Sequence, residues 1–71
     1  MPADAALAVN VRDKLAATRR NLAEVAVLVD EGQVFLSGRV PSYHLRQLAV
    51  ERARRVAGVL HVIDELRVDD V

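Results

Sequence analysis

The sequence predicts an α+β fold: a two-layer helix-strand-strand-helix-strand sandwich with a mixed three-stranded sheet and two helices on one face. Two alternating apolar runs carry most of the prediction. Val25, Val27 and Val29, then Val34, Leu36, Gly38 and Val40, flank Glu31-Gly32 in the pattern of a hairpin. A third run follows Gly58-Val59 and contains Val62, Leu66 and Val68. The segments outside these runs space their apolar residues three or four apart, as helices do, and two helices can cover only one side of so small a sheet.

The first helix is expected over about 4–18, with Leu7, Val11 and Leu15 as its inward stripe and Asp4 as its N-cap. Its outer side then shows Asn10, Asp13, Lys14 and Ala17, and Arg19, Arg20 and Asn21 lead out of it, with Leu22 tucked beneath. Strands follow over 24–29 and 33–40, joined around Asp30-Glu31-Gly32, where glycine supplies the positive φ of a tight turn. Pleating puts the spaced valines and leucines on the core face. Ala26, Leu28, Asp30, Gln33, Phe35, Ser37 and Arg39 fall on the other.

Pro41 stops the second strand and Ser42 caps a helix over 42–57, whose stripe is Leu45, Leu48, Ala49, Ala53 and Val56. After Gly58 the third strand, 59–68, turns Leu60, Val62, Leu66 and Val68 inward, with His61, Ile63, Glu65 and Arg67 outward. A strand-helix-strand crossover makes strands two and three parallel neighbours. Asp64 shares the inward parity, so a bulge or a rim position with water or backbone donors is expected there.

With 71 residues, one domain over 1–71 is expected. Such a chain buries about 60% of its unfolded surface and reaches a stability of roughly 3 to 5 kcal/mol. There is no cysteine, hence no disulfide or thiolate zinc site. Ten basic and ten acidic side chains balance, which argues against general attraction to nucleic acid. The charge is uneven: Arg39 to Arg55 holds five arginines and one acid, Asp64 to Val71 four acids and one arginine. The N-terminus lacks the charged start and long apolar centre of a secretory signal, and no run approaches the ~20 apolar residues that span a bilayer.

The spacing Val25-x-Val27-x-Val29-Asp30-x-Gly32-x-Val34-x-Leu36-x-Gly38-x-Val40, then Ser42, Arg46, Ala49 and Ala53, then Val56-x-Gly58-Val59-x-x-Val62-x-Asp64-x-Leu66-x-Val68, resembles a BON domain over nearly the whole chain. The resemblance implies the same sandwich, no catalytic machinery and no cofactor. It further implies action at bacterial envelopes, in the periplasm or at the cell envelope and in stress response, with anionic phospholipid or a membrane-associated protein as partner. Members commonly carry two copies and a secretion signal; one copy and no signal are seen here, so the compartment stays open. One branch binds potassium, but no carboxylate cluster in this chain matches that property.

Three surfaces are candidates. Arg46, Arg54 and Arg55 should project from the second helix and could bind phosphate bidentately, or simply form its solvated face. Arg19 and Arg20, with Arg12 and Lys14, offer cations around the first helix, the element with which lipid-binding members meet the membrane; Val9 is its one exposed aliphatic residue, so insertion would be shallow. On the open sheet face Leu28, Phe35 and Ile63 could form a protein interface or support self-association, or only stabilise cross-strand pairs. His44 and His61 lie in different elements and Ser37 and Ser42 have no base beside them, so no enzymatic constellation is expected. Nucleic acid is not an expected partner: there is no GxxG loop, and Tyr43 and Phe35 are the only aromatics.

Overall fold

In the computed structural model, which describes residues 3–69, helix α1 spans Asp4–Thr18 and a 3-10 turn covers Arg20–Glu24. Strands β1 (Ala26–Asp30) and β2 (Gln33–Val40), helix α2 (Tyr43–Arg54) and strand β3 (His61–Val68) complete the order. Asp70, expected in the acidic tail, lies outside the described residues. The sheet order is β1-β2-β3, with β1 antiparallel and β3 parallel to the central strand. The fold is therefore α+β with a mixed sheet.

One core lies between the sheet and both helices. Leu7, Val11 and Leu15 of α1 and Ala49 and Ala53 of α2 meet Val34, Leu36, Val40 and Leu66, all essentially without solvent contact. The two helices run in opposite directions. The carboxylate of Asp4 accepts hydrogen bonds from the hairpin-turn amides of Glu31 (2.9 Å) and Gly32 (3.3 Å), fixing the start of α1 at the hairpin end. At the close of the α2 crossover the Leu60 amide donates to the Gly32 carbonyl at 2.9 Å, which brings the C-terminal end of α2 back to that same end.

Several local expectations are corrected. Ala3, not Asp4, is the N-cap residue of α1; Asp4 sits in the first turn and serves the hairpin instead. Glu31 (φ 50°) and Gly32 (φ 80°) are both left-handed, the requirement of a two-residue type I′ connection, and the Asp4 carboxylate holds that conformation from outside. Strand β1 begins at Ala26 rather than 24, because buried Leu22 pins a 3-10 turn that Val25 closes through its amide to the Leu22 carbonyl. The outer side of α1 also exposes Ala5, Ala6, Val9, Ala16 and Ala17, so the helix is less amphipathic than its inward stripe suggests.

Helix α2 ends at Arg54 rather than 57. Its last amides tighten to i→i+3 bonds, Arg55 to Arg52 and Val56 to Ala53, before Gly58. Ser42 does cap it, its hydroxyl accepting from the Leu45 amide at 3.1 Å. Strand β3 starts at His61, and Leu60, expected inward, is 58% exposed outside the strand.

No bulge forms at Asp64: the β2–β3 register is unbroken from Gln33↔His61 to Val40↔Val68. Asp64 is half-buried and doubly satisfied, by the Arg46 Nε (2.8 Å to Oδ2) and by the Leu66 amide (3.0 Å to Oδ1). The Asp69 amide donates to the Val40 carbonyl, so the odd-numbered residues at this end of β3 face β2 and the Leu66 amide faces the free edge. Asp64 therefore closes an otherwise open edge donor, a common protection for edge strands.

Candidate functional site

The basic residues of α2 separate into different environments. The helical turn of 100° per residue puts Arg46 and Arg54 on the flank toward β3 and Arg52 and Arg55 on the other. Arg46 is half-buried, paired with Asp64, and its guanidinium carbon stands 5.7 Å from the centroid of the Tyr43 ring. These side chains, with Arg54, Gln47, Val50 and Glu51, line an open groove of about 510 Å³ between α2 and β3. Among the described residues no carboxylate is paired with Arg54 or Arg55, and both are exposed. They also cap the negative end of the α2 dipole, so part of their role is to stabilise the helix.

Arg19 and Arg20 end α1 and are exposed; one Arg19 Nη donates to the Thr18 carbonyl at 3.0 Å. Because the helices are antiparallel, this pair stands at the far end of the sheet from Arg54 and Arg55. One anion cannot touch both pairs, whereas a flat anionic surface laid against the helix layer can. Between the pairs that layer presents mainly Ala5, Ala6, Val9, Ala16 and Ala17 from α1 and two acids, Asp13 and Glu51, with exposed Arg12 and Lys14 on the flanks of α1. Val9 is 48% exposed.

On the sheet's open face Leu28, Phe35 and Ile63 form one continuous row, since Leu28 pairs with Phe35 in the antiparallel ladder and Phe35 with Ile63 in the parallel one. Leu28 is 71% exposed, while Phe35 and Ile63 are half-buried beside it. Farther along the same face Arg39 and Arg67 are direct register partners. Their adjacency follows from parity and a parallel crossover, and with Glu65 and His61 they frame the apolar row, as the alternation of the strands predicts. Arg39 approaches Asp69 only at 3.8 Å, with both side chains exposed, a contact worth little. His44 and His61 are exposed in separate elements, and among the described residues no group of three His, Cys, Asp or Glu side chains could hold a metal ion.

Two helices on one side of a small mixed sheet with an open second face make a small two-layer α+β domain. A family model for the BON domain matches residues 3–70, and the chain belongs to that family. The family is one of non-catalytic binding domains associated with phospholipid and membranes. No curated protein matches the chain. No helix among the described residues is long and apolar enough to cross a membrane.

Proposed function

We propose that this module attaches peripherally to anionic phospholipid, lying with its helix layer against the membrane and gripping headgroup phosphates through Arg19 and Arg20 at one end and Arg54 and Arg55 at the other. The supporting observation is the placement of four exposed arginines, without carboxylate partners among the described residues, at the ends of two antiparallel helices in one layer. Arg46 contributes less than the other arginines, because its Nε is held by Asp64.

The attraction is electrostatic rather than insertive. Each arginine near an anionic surface contributes about 1 kcal/mol, so four give about 4 kcal/mol, reduced by Asp13 and Glu51 on the same side. Exposed alanines and one valine add little buried apolar area. Attachment is thus weak for a single domain and strongly salt-dependent.

The test is charge reversal at each end. Arg54→Glu with Arg55→Glu, and separately Arg19→Glu with Arg20→Glu, are each expected to lower partition onto phosphatidylglycerol vesicles by at least roughly 30-fold, the about 2 kcal/mol lost with two arginines, with the repulsion of the two added glutamates deepening the loss further. Loss from neither pair would contradict the proposal and move the partner to a membrane-associated protein.

A further inference from the structure

We infer that the open sheet face is a homodimer interface, in which two copies pack face to face around the Leu28–Phe35–Ile63 row with their strands running in opposite directions. The inference is independent of the lipid reading, which uses the opposite layer. The row sits across the middle of the face, with three charged or polar rows around it. Toward the hairpin lie Asp30, Gln33 and His61; away from it lie Ala26, Ser37 and Glu65, and beyond them Arg39 and Arg67.

Two twofold arrangements stack the apolar rows. If the axis runs along the strands, each row meets its own copy, and Arg39 of one copy lands on the partner's Arg39. If the axis runs across the strands through the Phe35 row, every row is reversed about that centre. His61 then faces the partner's Glu65, Gln33 faces the partner's Ser37, and Arg39 falls beside the partner's Glu31-Gly32 turn, while Arg67 lies over the start of the partner's β3 near Leu60. Like charges opposed across an interface are costly and opposite ones fix orientation, so the charge pattern selects the second arrangement. The edge of β3 offers a poorer route to association, because Asp64 already occupies the outward Leu66 amide.

The face is roughly 14 Å wide and about 23 Å long at ordinary strand spacings, so two copies bury on the order of 1,000 Å² once side-chain relief is included. That is the lower limit for a specific interface, so a weak, concentration-dependent dimer is expected.

Sedimentation velocity across a concentration series of the parent chain is the first test. A concentration-dependent dimer is expected, and Leu28→Glu and Phe35→Ser should each weaken it at least tenfold; Leu28→Glu alters a largely exposed side chain and should fold normally. A chain carrying Arg39→Glu, and another carrying Glu31→Lys, should each dimerise more weakly alone and pair more tightly when mixed. A parent that stays monomeric at all concentrations overturns the inference, as does a dimer indifferent to Leu28→Glu. Failure of the two charge-swapped chains to pair more tightly on mixing overturns the antiparallel orientation.

Discussion

Replacing Asp64 with alanine should cost this domain a large part of its stability. The carboxylate receives a charge-assisted hydrogen bond from Arg46 Nε at 2.8 Å and one from the Leu66 amide at 3.0 Å. Hydrogen bonds to charged groups contribute about 1.5 to 3 kcal/mol each. The Arg46 and Asp64 side chains keep 33% and 27% of their exposure, which lowers the value of the ion pair, and the Leu66 amide can turn to water at the sheet edge. The expected loss is therefore about 2 kcal/mol, against the roughly 3 to 5 kcal/mol available to a domain of this size. Thermal unfolding followed by circular dichroism should show Tm falling by about 8 to 16 °C, at 4 to 8 °C per kcal/mol for small domains. Arg46→Met keeps the packed stem of the side chain while removing its charge, and the double variant closes a thermodynamic cycle whose coupling should be at least about 1 kcal/mol. Unchanged Tm in Asp64→Ala, or a coupling of zero, would place the pair among ordinary surface ion pairs and refute this account of the core-facing acid.

Asp4→Ala should lower stability by about 1 to 2 kcal/mol through loss of the two turn bonds and of a negative charge at the helix start, and should speed hydrogen exchange of the Glu31 and Gly32 amides specifically. Glu31→Asn should raise Tm, because asparagine tolerates the left-handed backbone that Glu31 occupies at φ 50°; urea titration reads the gain, expected to be several tenths of a kcal/mol. Leu36→Ala, which empties a fully buried position at the centre of the sheet, should cost about 3 to 5 kcal/mol and leave the chain largely unfolded by near-ultraviolet and far-ultraviolet spectra.

Alternation of valines and leucines made the strands legible, and parity alone assigned Leu28, Phe35 and Ile63 to the uncovered face. Their union in one row needs the register as well, which pairs β3 with β2 at an offset that no local pattern encodes. Asp64 announced itself as an anomaly, an acid among inward valines, but its partner stands on α2, eighteen positions earlier, and only the packing of helix on sheet brings Arg46 to it. Asp4 reads as a local cap because Ser, Thr, Asp and Asn so often serve that role. In the fold it bonds a turn 27 residues away instead, a contact set by the direction of α1. That direction also separates Arg19 and Arg20 from Arg54 and Arg55, two pairs that sequence order alone presents as equivalent ends of helices.

The most direct test of membrane attachment through the arginines is co-sedimentation of the parent chain with neutral and with anionic vesicles, each at low and at high salt. The account predicts binding to anionic vesicles at low salt, its loss as ionic strength rises, and none to neutral vesicles. Equal binding to both lipids, or no binding under any of the four conditions, would contradict it.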